Sequence, residues 1–328
     1  MNPHITHLEI RNFKSIAHLE LSDFKKINLF IGRPNVGKSN ILEALSLFSL
    51  PLLKVKSGQM PFKKIQTIIR AESETELFYE GNISEAIRVQ TSNMSCNISH
   101  YSNTFAPKIL DEPIQTKGFA IQFSDTFLGK DQNVVKCYQF KSNTKFKREK
   151  TDYLSVPNGQ NILEVLELYP ELREIYTHWF EQYGLRLVLD KASNSLKILK
   201  DKGKEVFIIP YSLIADTLQR IIFYKTAVAS NEHSVLLFEE PEAHAFPPYI
   251  AEFTQEVIQS QTNQFMIVTH SPIIVNDFLE NAREDLAIFM VDFQRGQTVA
   301  RALSKDQIYE VYKYGVDLFF NNEAYLNV

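Results

Sequence analysis

Apolar residues are distributed along the chain in a few distinct patterns. Ile5, Leu8, Ile10 and Phe13 punctuate a polar background, and Ile16, Leu19 and Leu21 follow at strand-like spacing. An almost unbroken apolar run, Ile27-Asn28-Leu29-Phe30-Ile31, comes next. Alternation predicts half-buried strands and a continuous run predicts a strand buried on both faces, so two strands are expected to feed into a third, parallel one. After Ser39, Ile41, Leu42 and Leu45 take helical spacing, with Phe48 further on. Pro51 marks the end of that helix, and Lys54 to Lys64 is read as a polar connector. Short β-type runs at residues 76–78, 86–90, 119–123 and 134–140 are separated by turn residues such as Gly81-Asn82 and Gly129, which predicts an antiparallel lobe.

Further along, a helical stretch begins at Asn161 and Pro170 restarts it. Leu172, Ile175, Tyr176 and Trp179 then fall at i, i+3, i+4 and i+7, with Gly184 as a stop. These aromatics are read as core. Alternation at residues 185–189 and at Leu196 and Ile198, with a turn at Asn194, predicts a hairpin. Three more apolar segments end the chain: Val235-Leu236-Leu237-Phe238, Phe265-Met266-Ile267-Val268 and Leu286-Ala287-Ile288-Phe289-Met290-Val291, the last followed by a helix near residues 307–312. The pattern implies an α/β fold with a mainly parallel core sheet, an antiparallel β lobe and a small inserted α+β segment. Its domain organisation is read as one domain over 1–328, with 141–204 as an inserted helical and hairpin subdomain.

Composition changes this picture little. The 328 residues are 44% hydrophobic and 23% charged with a net charge of −4, an ordinary globular balance without a global basic field. Two cysteines, Cys96 and Cys137, give neither a disulfide framework nor a C-x-x-C zinc element. The start Met1-Asn2-Pro3-His4 lacks a basic region leading into an apolar segment, and no apolar run approaches about 18 residues, so a soluble, cytoplasmic protein without membrane contact is expected. One local charge run, residues 141–150, leaves two readings open. It is either a phosphate contact with Phe146 stacking on a base, or a solvated loop.

The chemistry begins at Gly32-Arg33-Pro34-Asn35-Val36-Gly37-Lys38-Ser39, a complete G-x-x-x-x-G-K-[ST] loop placed between the buried strand and the helix that the motif requires. Glycines let backbone N–H groups turn to an anion, and the helix N-terminus adds its positive end. Lys38 reaches the β- and γ-phosphates and Ser39 offers its oxygen to Mg²⁺. The second half of the chain supplies Val235-Leu236-Leu237-Phe238-Glu239-Glu240, an apolar strand ending in two carboxylates. One is needed near Mg²⁺, and the next can act as a general base on the attacking water. A third apolar strand runs into Thr269-His270-Ser271-Pro272, where the imidazole can hydrogen-bond the γ-phosphate or that water.

Together, Leu8-Glu9-Ile10-Arg11-Asn12-Phe13-Lys14-Ser15, the loop ending Lys38-Ser39-Asn40, Glu239-Glu240-Pro241-Glu242-Ala243-His244 and Thr269-His270-Ser271 resemble the ABC-type ATPases of the OLD, RecF and SMC group. The likeness covers roughly residues 5–80 and 205–328. It implies a P-loop NTPase with an SMC-head-like fold, and ATP and Mg²⁺ as cofactors. It assigns Gly32, Asn35, Gly37, Lys38, Ser39 and Asn40 to the nucleotide, Ser39 and Glu239 to Mg²⁺, Glu240 as catalytic base and His270 as switch histidine. Glu242 and His244 fall where a loop approaches a second protomer. Two departures stand out. Glu239 replaces the usual Asp, and the family's signature serine and glycine are absent from Leu213-Ile214-Ala215-Asp216-Thr217-Leu218-Gln219-Arg220. Asp216, Gln219 or Arg220 would have to contribute instead. For the Q-loop, Gln66 is a candidate and Arg70 another polar residue nearby.

OLD-type nucleases carry a metal-binding TOPRIM domain after the ATPase. Here about fifty-eight residues follow His270, with no obvious nuclease carboxylate cluster. By this resemblance the chain is a stand-alone ATPase that forms a homodimer or higher oligomer. It would sense DNA or a phage component and control a separate effector, a nuclease, in bacterial anti-phage defence. A nucleotide-bound scaffold with little turnover and a RecF-like repair ATPase are the alternatives. A GTPase would need N-K-x-D and D-x-x-G elements, neither of which is suitably placed.

Overall fold

The computed structural model describes residues 4–53, 61–100, 119–124, 134–142, 146–203 and 205–326. In chain order the first elements are β1 (Leu8–Phe13), β2 (Ile16–Leu21), β3 (Ile27–Ile31), α1 (Lys38–Ser46), α2 (Pro61–Ile65), β4 (Ile87–Thr91), β5 (Ser95–His100), β6 (Phe119–Phe123) and β7 (Val134–Tyr138). There follow α3 (Ile162–Leu168), α4 (Pro170–Glu181), β8 (Arg186–Asp190), β9 (Ser195–Asp201), β10 (Val206–Pro210) and α5 (Asp216–Ala229). The last are β11 (Ser234–Glu239), α6 (Pro247–Gln259), β12 (Gln264–Val268), α7 (Pro272–Asn281), β13 (Leu286–Gln294), β14 (Gln297–Ala302), α8 (Lys305–Tyr314) and α9 (Asn322–Leu326). No helix among the described residues is long and apolar enough to cross a membrane. The chain divides into two compact units, the first comprising residues 1–137, 233–240 and 261–328, the second residues 138–232 and 241–260.

In the first unit, how many faces a strand buries decides which sheet it joins. β3, β12 and most of β13 are buried residue after residue, as strands covered on both faces must be. They lie in a six-stranded sheet of order β14-β13-β3-β12-β11-β7. Within it β13, β3, β12 and β11 run parallel and β14 antiparallel. Parallel order places the C-terminal ends of β3, β11 and β12 at one edge, where a nucleotide site belongs. The alternating β1 and β4 bury one face each and pair in a separate antiparallel sheet of order β2-β1-β4-β5-β6. β1 and β2 therefore form a hairpin in the lobe rather than leading into the β3 sheet.

Two buried amides stitch the parallel sheet. Asn28, fully buried in β3, accepts from Lys25 N (2.8 Å) and donates to Lys25 O (2.7 Å) and Phe265 O (3.0 Å). Gln264, fully buried in β12, accepts from Ile5 N and donates to Ile5 O and Lys25 O. Their donors and acceptors are satisfied, which is what makes two fully buried amides tolerable in the core. Two local expectations differ from the structure. Residues 74–77 form a 3-10 turn rather than a strand, with Phe78 making one bridge to Phe13. α1 runs on as a 3-10 helix over Leu47–Leu52 that takes in Pro51. Most of the expected connector, residues 54–60, lies outside the described residues.

The second unit contains α3, α4, α5 and α6 and the sheet β10-β9-β8. Tyr176 and Trp179 are buried, as the spacing in α4 implies, and Tyr176 OH bonds with Thr226 Oγ1 at 2.9 Å. Lys225 is buried and its ammonium pairs with Glu252 and Glu256 of α6. Phe146 is also buried and meets Tyr211 edge-on. It is therefore not free to stack on a base, and that half of the nucleic-acid reading of residues 141–150 is corrected. Residues 143–145 of the run lie outside the described residues.

Candidate functional site

The residues that meet at the loop belong to the first unit, whereas Asp216, Thr217, Gln219, Arg220 and His244 belong to the second. The loop leaves β3 at Gly32, where a Cβ would lie 2.1 Å from Val291 O of β13, so only glycine allows that approach. It enters α1 at Gly37 with φ 96°, where a Cβ would lie 1.9 Å from Thr298 Oγ1. Asn35, exposed at the tip, is also left-handed (φ 62°), which asparagine tolerates. Lys38 opens α1 and is buried. Its ammonium donates to Gly32 O (3.0 Å) and Arg33 O (2.6 Å), inside the ring of the loop. Burial lowers its pKa to about 8, against the pull of Glu240 and Glu239.

The loop is clamped from behind by residues without a motif. Thr298, fully buried in β14, donates to Val36 O (2.8 Å) and meets Ser15 Oγ at 2.6 Å. Asn40 donates to the same Ser15 oxygen at 2.6 Å, so its side chain faces this clamp.

β11 brings up the acids. Ser39 donates its hydroxyl hydrogen to Glu239 Oε1 at 2.5 Å, which leaves the hydroxyl's lone pairs for a cation. These are hard oxygen donors suited to Mg²⁺, which takes one or two protein oxygens and draws the rest from phosphate and water. The donor set fits that ion. No group of three or more His, Cys, Asp or Glu that could hold a metal ion occurs among the described residues.

Glu240 sits in the left-handed region at φ 44°, a conformation worth about 1–3 kcal/mol of strain. Its amide is pinned to Val268 O at 2.8 Å. Val268 ends β12, which lies between β3 and β11, and from the next turn His270 Nε2 comes to 3.6 Å of Glu240 Oε1. Burial and then the Lys38 charge push the imidazole pKa below its ordinary value, only partly opposed by Glu240, a net shift that favours the neutral ring.

Lys38, Ser39, Glu239, Glu240 and His270 thus converge at the C-terminal ends of three parallel strands. Gln66 instead donates to Ala71 O from an exposed position. Arg70 is the residue of that region that reaches the site, its guanidinium on Glu239 Oε1 and Glu43 Oε1. Partial desolvation of the guanidinium works against its charge, and Glu239 and Glu43 outweigh that, raising its pKa. In the second unit, Arg220 is paired with Asp216 at 2.6 Å, and buried Gln219 bonds Ser142 and Ile214 O. Thr217 donates to His244 O at 2.6 Å.

The fold is that of P-loop, SMC-head-like domains. The SMC head bound to the C-winged helix domain of ScpA matches with a TM-score of 0.52 and 17% identity over 92% of this chain and 98% of that one. An Smc head with an extended coiled coil, bound to the C-terminal domain of ScpA and derived from Pyrococcus furiosus, matches at 0.52 and 14% over 95% and 99%. By sequence the chain belongs to the AAA ATPase domain family, whose profile matches residues 4–209. A stretch of 47 residues is 47% identical to the DNA replication and repair protein RecF of Nitrosococcus oceani, covering 14% of this chain and 13% of that relative.

Proposed function

We propose that the chain binds ATP with Mg²⁺ on the Gly32–Ser39 loop and hydrolyses it as a switch that acts on a separate protein. The observation carrying this reading is the meeting of the Lys38 ammonium, the Ser39–Glu239 pair and the Glu240–His270 pair on one sheet edge. Lys38 exchanges its bonds to the loop carbonyls for phosphate oxygens. Mg²⁺, when bound at Ser39 and Glu239, neutralises charge on the phosphates. Glu240 accepts the proton of the attacking water, and neutral His270, beside it, donates its N–H to the γ-phosphate or orients that water. The test is Mg²⁺-dependent ATP turnover of the purified chain, alone and with DNA. Glu240→Gln should lower kcat by at least about 100-fold, the usual scale for a general base. No activity above that variant's level refutes hydrolysis.

In its finer form the reading is a dimerising ATPase that controls a nuclease effector in anti-phage defence, supported by the resemblance to the OLD, RecF and SMC group. The RecF-like stretch favours a second reading, a repair ATPase with the same chemistry and DNA as its ligand. Stimulation of turnover by DNA ends or gaps, without any effector protein, selects the repair role. The internally bonded Asp216, Gln219 and Arg220 favour a third, a scaffold held together by bound ATP. Assembly indifferent to both Glu240→Gln and His270→Ala selects it.

A further inference from the structure

The metal-side carboxylate is already engaged by a cation of the chain itself. Glu43 of α1 is buried. It accepts from the Arg70 amide (3.3 Å) and from Arg70 Nε (3.2 Å), and it also pairs with Lys14. Lys14 in turn donates to Arg70 O at 2.6 Å. Arg70 is thereby held at its backbone and at the base of its guanidinium, and the free end of that planar group is delivered to Glu239 Oε1. This is the same oxygen that accepts the Ser39 hydroxyl.

We propose that Arg70 is an internal cation that competes with Mg²⁺ for Glu239 and so sets the magnesium concentration at which the nucleotide site forms. The proposal rests on the reading of Ser39 and Glu239 as the metal pair. A guanidinium stays charged at every physiological pH, so it cannot be titrated off Glu239 and is removed only by a stronger cation. The pairs close charge neutrality locally: Lys14 and Arg70 balance Glu43 and Glu239. A divalent ion at Glu239 leaves Arg70 with Glu43 as its remaining anion. The Arg70 side chain is 70% exposed, so it can withdraw without disturbing the core, whereas the Glu43 side chain that anchors it is 6% exposed and stays.

The experiment follows a fluorescent ATP analogue binding to the full chain while Mg²⁺ is raised from none to excess, in wild type, Arg70→Gln, Arg70→Met and Lys38→Ala. Both Arg70 variants should lower the half-saturating Mg²⁺ concentration about threefold, the scale of one partly exposed ion pair. Affinity for the magnesium-free analogue should be unchanged. An unaltered magnesium midpoint overturns the proposal. So does a loss of affinity that is equal with and without Mg²⁺, which would make Arg70 a phosphate contact. If wild type binds no better than Lys38→Ala, the nucleotide reading itself fails, a result distinguishable from either.

Discussion

Lys38 is the residue whose ionisation the site exposes most directly to experiment. Its pKa in the free protein is about 8, because burial disfavours the ammonium more than Glu240 and Glu239 favour it. A bound triphosphate favours the charged form and raises that pKa, so protons are taken up on binding above pH 8. Affinity is therefore full below about pH 8 and lost as pH rises through it, by up to tenfold per unit. A lysine at its ordinary value would show no such loss before pH 10. Equilibrium titrations of an ATP analogue between pH 7 and 9.5 measure this, and a Lys38→Arg variant should be flat over the range. Thr298 gives a second residue-scale expectation. Its hydroxyl ties Val36 O to Ser15 in a fully buried place, so Thr298→Val strands a carbonyl at a cost of about 1–3 kcal/mol. Nucleotide affinity should fall about tenfold or more, while Thr298→Ser, which keeps the oxygen, should bind within about twofold of wild type. Lys38 was legible because a motif names it. Thr298 was not, because its importance comes from a strand that returns to the loop 262 residues later in the chain, and nothing local records that return.

At the level of elements, burial on both faces is what made β3, β11 and β12 readable: continuous apolar runs have one interpretation in an α/β chain. β5, Ser95-Cys96-Asn97-Ile98-Ser99-His100, escaped because only Cys96 and Ile98 are buried among polar neighbours, a signal too thin to separate from a loop. β10 escaped for the opposite reason. Val206, Phe207 and Ile208 are apolar yet exposed on a sheet edge, so composition and burial disagree. β14 reads Gln-Thr-Val-Ala-Arg-Ala and takes its place from antiparallel pairing with β13. Within the parallel sheet, Asn28 interrupts an apolar run yet spends its whole side chain on Lys25 and Phe265 O. Asn28→Leu should destabilise the protein by about 1–3 kcal/mol, since Lys25 N and the buried Phe265 O lose a side-chain partner that leucine cannot replace, while Lys25 O keeps Gln264. Chemical denaturation should show a lower midpoint at unchanged slope. A midpoint at or above wild type would mean those groups find other partners.

On the scale of the whole molecule, the polar groups at the phosphate loop come from α1, the ends of β11 and β12, β14, the β1–β2 turn and the segment after α2, all of one unit. The stretch Leu213–Arg220, where the resembling family keeps a serine and glycine that close over the γ-phosphate of an opposite subunit, carries neither, and its polar side chains bond within the stretch and to Ser142 and His244. That tension makes self-association the informative measurement. If a second copy completes the site through other residues, bound but unhydrolysed ATP stabilises the assembly, and Glu240→Gln, which keeps every phosphate-binding group and loses only the base, should accumulate it. Light scattering of Glu240→Gln with Mg²⁺ and ATP should then report roughly twice the 37.9 kDa of one chain. The same variant without nucleotide, and Lys38→Ala with it, should stay at one. Tight ATP binding by Glu240→Gln with the mass of a single chain would show that one protomer holds the nucleotide alone. The altered signature would then mark a protein that does not close across a partner subunit, and control of an effector would have to act through the single protomer's own response to ATP.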